Sequence, residues 1–554
     1  MFKRFFFLLV GVIFMGVLSP GLGFAQSDEA RLIAHWRLAG DVLDASGAGH
    51  NGTSHGVTFR EGEAVFDGRG NHVEIANSPS LALGKDPFSI ATWVRTDAVL
   101  DDVIGDIMSK FDPQSRTGFM LNIKHNVGAT NSQANYRQVQ FGIDNGSALE
   151  DWKDCGRPGE AVLIFSMATY HEQLYAGTGV AGKDSAGRVF RYDGDSDWID
   201  CGAPDKSNSV SSMAVYEGKL YAGTAKYRLA GSSLEESENL NPGGSIYRYE
   251  DGKEWVKVGE LPDREGVNGL VVYKGKLYAS SMYAPAGFFR YDGGNTWTDC
   301  GVPDGKRVEQ LSVYNGDLFA TSYDGGLVFR FDGGKWTHCG QLGDNTQTYA
   351  FAINEGRLHV GTWPSGKVFR YVADNEWEDL GRLGEEKEVM GMAVYNGKMY
   401  GGTLPLAEVF RFDGKQNWTS IGRVDLTPDV KYRRAWTMAV FQGRLFVGTL
   451  PSGQVMSLKA GEVVTLDRQL PAGWVHLAAV KGPDRLKLYL DGKWVASSEK
   501  FDSENYDLSS EVPWKIGFGP HDYFNGGLSD LRVYRGALSE KRIGKLASEN
   551  RPDQ

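Results

Sequence analysis

The chain has 554 residues, 12% of them aromatic and 23% charged, with 72 glycines and a net charge of −11. That length exceeds what one hydrophobic core serves, so more than one domain is expected, and the composition is globular and rich in tight turns. The acidic balance, with no long basic run, argues against a nucleic-acid surface, which needs clustered Lys and Arg.

The first segment reads MFKRFFFLLVGVIFMGVLSPGLGFAQ. Lys3 and Arg4 precede an apolar stretch from Phe5 to Leu18, and Pro20, Gly23 and Ala25 follow. This predicts a signal peptide over residues 1–25, cleaved after Ala25, and a secreted, periplasmic or cell-surface protein. The apolar run is shorter than the ~20 residues of a membrane span, and no other stretch is long enough. No cysteine stands directly after Ala25, so acylation is not expected.

Residues 26–146 carry RLIAHWRLAG, AVFDGRGNHVEI, PFSIATWVRT and VQFGIDNG, and residues 463–554 carry GWVHLAAVKGPDRLKLYLDGKWVASS and FNGGLSDLRVYRGALS. Both parts alternate apolar and polar residues, as strands with one buried face do. Leu538–Glu549 reads as a short terminal helix.

Between them, residues 147–462 repeat one pattern. The segment GKLYAGT at Gly218–Thr224 returns as EQLYAGT, GKLYASS, GDLFATS, GRLHVGT, GKMYGGT and GRLFVGT. Each unit has four short strands: MAVY, then KLYAGT across a tight turn, then VFRYDG, then a run beginning at a tryptophan. Trp152, Trp198, Trp255, Trp297, Trp336, Trp377 and Trp418 mark the fourth strands. Four antiparallel strands per unit, seven times over, predict a seven-bladed β-propeller. The first repeat element is a fourth strand, Asp151–Gly156, and the last is a third strand, Gly453–Glu462. The two should share one blade and bring the entry and exit of the ring together, so that the propeller can be inserted into a loop of the flanking domain.

The repeats resemble kelch-type blades, with Gly-Thr where that family has Gly-Gly. The flanks resemble the laminin-G-like (concanavalin-like) jelly roll of bacterial secreted proteins. The landmarks are Phe66–Gly68, Ser89–Val94, Trp474–Val480, Lys487–Lys493 and Leu528–Ser539. The expected fold is therefore all-β, a seven-bladed propeller inserted into a concanavalin-like (LamG) jelly-roll sandwich, with Trp36, Trp93 and Trp474 in the sandwich core. The resemblance implies a glycan- or protein-binding module, often with one calcium ion, for which Asp44 in DASGAGHNG and Asp67 in FDGRGN are the donors to consider.

Gly177–Lys183 satisfies both G-x-G-x-x-G and G-x-x-x-x-G-K. Asp184 then stands where a phosphate loop needs Ser or Thr, and the next element reads as a strand, so no nucleotide is expected. Cys155, Cys201, Cys300 and Cys339 each follow a blade tryptophan by three residues. Such places lie too far apart on neighbouring blades for disulfides, and free thiols are expected. In the propeller, His171, His338 and His359 all avoid the loops of the functional face, which disfavours a histidine-based metal or general-base site there.

That face is built from the loops joining second to third strands and fourth strands to the next first strand. One of them, Ala225–Gly244, is far longer than its counterparts. Its candidate ligand-binding residues are Tyr227, Arg228, Arg264, Tyr283, Arg307, Tyr323, Trp363, Arg433, Arg434 and Trp436, with Glu265, Glu309, Asp324 and Glu388 as nearby carboxylates. Aromatic rings beside Arg and carboxylates suit sugars or peptides. The opposite face has only tight turns and should carry the jelly roll. The leading expectation is a non-catalytic binder of extracellular polysaccharide or glycoprotein. The alternatives are a polysaccharide hydrolase using acidic residues of this face and a protein-interaction scaffold.

Overall fold

The computed structural model describes residues 30–124, 133–146, 150–549 and 551–552. The signal segment and the cleavage point after Ala25 lie outside the described residues. The described chain is all-β, with one short α-helix, Glu540–Leu546. Its N-cap is Ser539, whose hydroxyl accepts the Arg542 amide. Among the described residues no helix is long and apolar enough to cross a membrane.

The flanking segments form two sheets packed over one core. One sheet centres on Asn525–Arg535, Phe88–Thr96 and Gly473–Lys481, and the other on Gly105–Asp112, Thr117–Lys124 and Gln138–Asn145. Trp36, Phe66, Phe88, Phe119, Phe141 and Trp514 fill the space between them. Of the three tryptophans expected in this core, only Trp36 is in it: Trp93 is buried on the other face of its sheet, against His476 and Glu549 O, and Trp474 is half-buried. Alternation along its strand turns Val475 inward instead.

The repeats form a propeller-like ring of antiparallel sheets. Five sheets have four strands each, and the two remaining repeats are joined in one eight-stranded sheet. The expectation of seven separate blades is corrected to that extent. The reason is local: Gly179, at the end of one second strand, pairs with Ser209, at the start of the next first strand.

Residue chemistry explains the ring. The turn before each repeat segment needs two left-handed residues, as at Glu217 (φ 48) and Gly218 (φ 71), which is the geometry that twists a two-residue hairpin correctly. At the other end, Gly223 has no room for a side chain. A Cβ there would stand 2.6 Å from Val267 of the following unit. Gly448 likewise lies against Ile164 of the first unit, which closes the series. The threonine beside it ties its own blade: Thr224 Oγ1 donates to Ser245 O, Thr403 Oγ1 to Glu408 O and Thr449 Oγ1 to Gln454 O.

Each marker tryptophan bonds backward to the preceding unit. The indole N–H groups of Trp198, Trp255, Trp297, Trp336, Trp377 and Trp418 donate to the carbonyls of Cys155, Cys201, Val258, Gly301, Cys339 and Leu380 at 2.8–3.0 Å. Trp152 completes the circuit on Ile421 O at 2.8 Å. Strand Asp151–Asp154 pairs with Val455–Lys459, as the order of the repeats requires. Immediately outside that pair, Gln138–Asn145 pairs with Glu462–Leu466 in the sandwich. The propeller thus interrupts the chain between two neighbouring sandwich strands.

The sandwich packs on the tight-turn face. The amides of Lys274, Asn315, Gly356 and Gln442 donate to Leu100 O, Asp102 Oδ1, His521 O and Asp467 Oδ2 at 3.0–3.1 Å. Gly177–Lys183 passes from a strand through a turn toward another strand, Val189–Gly194, with no helix to meet a phosphate. All four cysteines are free.

Candidate functional site

A pocket of about 380 Å³ opens on the long-loop face. Its floor comes from the first strand of the repeats. Two residues before the repeat's Met-Ala-Val-Tyr segment, the sequence has Phe165, Ser211, Asn268, Glu309, Tyr349, Met390 and Trp436 as the unit recurs, and five of these, all but Ser211 and Glu309, line the pocket. Side chains two apart share a face, so the place two residues earlier adds Gln347 and Arg434. The long loop supplies one wall through Tyr227, Arg228, Ala230, Gly231 and Glu236. Glu236 holds that loop together, because its carboxylate accepts the amides of Leu229, Ala230 and Ser237 at 3.1–3.2 Å.

Aromatic rings dominate the interior. Phe165, Tyr227 and Trp436 meet edge to face, with centroids 5.0–5.9 Å apart. Tyr323 and Tyr349 are 4.9 Å apart. Burial, then the Glu309 carboxyl, holds the Tyr323 hydroxyl well above the usual tyrosine range. At the rim, the Arg228 guanidinium lies 4.3 Å over the Tyr283 ring and pairs with Glu265 at 2.7 Å.

The polar groups inside are few and placed. Arg434 donates from Nε to Glu388 Oε1 at 2.9 Å, and both residues are buried. Burial opposes the Arg434 charge, but the adjoining Glu388 carboxylate outweighs it and raises the pKa. Arg434 Nη1 and Trp436 Nε1 are buried donors without a hydrogen-bond partner among the described residues. Asn268, on the pocket wall, donates to Glu309 Oε2, while Glu309 Oε1 has no hydrogen-bond partner among the described residues and lies 3.8 Å from Arg307 Nη1. Burial pushes the Glu309 carboxyl well above the ordinary carboxylate range, against the pull of Arg307.

Six of the ten residues singled out from the sequence line this one pocket: Tyr227, Arg228, Tyr283, Tyr323, Arg434 and Trp436. The other four do not. Arg264 reaches the Ala286 carbonyl at 2.8 Å within its own wall of loops. Arg307 forms a two-point pair with Asp324. Arg433 donates to Thr427 O at 2.6 Å. Trp363 is half-buried and stands edge-on to Tyr432 at 6.4 Å. Sequence reasoning passed over Phe165, Asn268, Tyr349 and Met390 because they sit in strands rather than loops. Their signal was the variability at one place of an otherwise steady repeat.

In the sandwich, Asp44 takes four donors. Oδ1 accepts the His35 and Ser46 amides, and Oδ2 accepts the Ser46 hydroxyl and the His50 amide, at 2.9–3.0 Å. Both carboxylate oxygens are thus taken up by N–H and O–H groups, and the groups around Asp44 are proton donors rather than the further oxygen ligands a calcium ion needs. Asp67 is exposed at the end of strand Glu63–Asp67, and its Oδ1 accepts the Arg69 amide at 2.9 Å.

The family model for the concanavalin A-like lectin/glucanases superfamily matches residues 429–544. That stretch spans the last propeller strands and most of the second sandwich part. No curated protein matches the chain. Among solved structures, a catalytically inactive virginiamycin B lyase from Staphylococcus aureus with quinupristin is similar at 10% identity and TM-score 0.43, covering 56% of this chain and 99% of that one. YCF48 bound to D1 peptide is similar at 15% identity and TM-score 0.40, covering 56% and 97%. A chain of a nidogen/laminin complex is similar at 12% identity and TM-score 0.30, covering 40% and 86%. Similarity this low carries no ligand or activity to this chain.

Proposed function

We propose that this is an extracytoplasmic binding protein that recognises polysaccharide or glycoprotein glycans in the long-loop pocket, without turning them over. The observation that carries the reading is the pocket itself: an aromatic interior holding two buried donors, Arg434 Nη1 and Trp436 Nε1, with no hydrogen-bond partner among the described residues. Ring faces suit the C–H faces of a sugar, and donor-only groups call for acceptor oxygens. A volume of about 380 Å³ falls in the range of about 300–1,000 Å³ common to small-ligand sites. The similarity of the 429–544 segment to a lectin and glucanase superfamily supports a carbohydrate context. We also read the ring as seven-bladed, since seven indole–carbonyl bonds join successive units, including the two inside the eight-stranded sheet.

The test is binding of purified protein to a glycan array, followed by titration of any hit. Tyr283→Ala and Arg228→Ala at the rim should each weaken binding about tenfold, equivalent to ~1.4 kcal/mol. Unchanged affinity in both would remove the pocket from the reading. One observation favours a second reading, a polysaccharide hydrolase. Glu309 is a buried carboxyl beside the pocket, and burial raises its pKa, the direction a general acid needs. Release of reducing ends from the bound glycan, lost in Glu309→Gln, would replace the binder by the enzyme.

A further inference from the structure

A second cluster lies on the sandwich. Strand Gly52–His55 forms the edge of a seven-stranded sheet and pairs antiparallel with His72–Ile75, which sets His55 directly opposite His72. Side chains alternate along a strand, so Glu74 shares the face of His72. The two imidazoles stack with centroids 4.4 Å apart and planes 10° apart. One ligand atom from each of His55, His72 and Glu74 lies within 4.8 Å of the others.

The tautomer favours ligation. His72 Nδ1 stands 3.1 Å from Gly70 O. A carbonyl only accepts, so the proton is on Nδ1 and the lone pair is on Nε2. A carbonyl-held imidazole of this kind is the usual support of a metal-binding histidine. Phe518 and Tyr523 pack beside the ring, with centroids 5.6 and 5.9 Å away, and restrict its rotation. Lys515 stands opposite Glu74 in the ladder. Its ammonium is drawn over the Phe518 ring, 4.7 Å from the centroid.

We propose that His55, His72 and Glu74 form a binding site for one divalent d-block cation, zinc foremost. Two imidazole nitrogens and one carboxylate oxygen are a borderline donor set that suits zinc, whereas calcium and magnesium take all-oxygen shells. His55 is exposed, so a further coordination position faces solvent. Bound metal would pin the edge strand Gly52–His55 to its neighbour.

The full chain, free of any oligohistidine tag and stripped with chelator, is titrated with zinc against a chromophoric chelator and with cobalt by visible absorption. One equivalent should bind, raise the melting temperature and be unaffected by excess calcium or magnesium. His55→Ala and Glu74→Gln should weaken zinc at least tenfold, and His72→Ala should remove the cobalt spectrum. His171→Ala, at an exposed histidine of the propeller, should change nothing. If His72→Ala fails to fold, the variants of exposed His55 and half-buried Glu74 decide. Absence of a saturable equivalent, competition by calcium, or undiminished zinc binding in His55→Ala overturns the site.

Discussion

Two glycines of one repeat segment do different work. Gly218 lies in open space with a φ of +71°, so its role is conformational. Gly223 sits at an ordinary φ, but a Cβ there would press on Val267 and Ser212 at 2.5–2.6 Å. Gly218→Ala should therefore cost about 1 kcal/mol of stability through backbone strain. Gly223→Ala should cost more, about 1–3 kcal/mol, through overpacking between units. Urea unfolding of both variants checks the order, and equal losses would contradict it. Both glycines were visible in the sequence as a repeated motif. Which one met a neighbouring unit was not visible, because Val267 lies in a different repeat.

At the level of elements, the marker tryptophans hold one unit to the next. Trp297 donates to Val258 O at 2.9 Å and packs against the neighbouring core. Trp297→Phe keeps most of the apolar surface and loses that bond. Equilibrium unfolding should report a loss of about 0.5–1.5 kcal/mol. A neutral outcome would mean that water replaces the indole at this junction. The strands themselves were legible from the alternation, the hairpin turns and the tryptophans. The joining of two repeats through Gly179 and Ser209 was not, because one backbone pair leaves no trace in composition. The pocket was half legible. Loop residues such as Tyr227 and Tyr283 stood out by position, while Tyr349 and Met390 were hidden as strand residues until the ring set them around one axis.

The whole molecule depends on the docking of the sandwich against the turn face, and this docking buries acids. Asp102 accepts the amides of Val103 and Asn315 through Oδ1, tying the two domains, while its Oδ2 has no hydrogen-bond partner among the described residues. Burial pushes Asp102 up to about 8 from 3.8. Asp522 is raised well above the carboxylate range by burial and then by Asp102. A raised acid binds its proton more tightly when folded. Its contribution is complete below about pH 4 and is lost as the pH climbs through about 8. The protein should melt lower at pH 9 than at pH 6. Asp102→Asn, which keeps the Oδ1 acceptor, should narrow that difference. An unchanged pH slope in the variant would assign the loss to other groups.

By itself the sequence determined the all-β class, the repeat unit, the interrupted sandwich and the pairing of Asp151–Asp154 with Val455–Lys459. Those follow from local periodicity and from the order of the strands, and short-range sterics enforce both. Only the tertiary structure decided what meets across units and sheets. It gathered Tyr227, Tyr323 and Trp436 into one pocket and left Trp363 and Arg433 outside. It also stacked His55 on His72, since cross-strand register is set by long-range packing that no local pattern records.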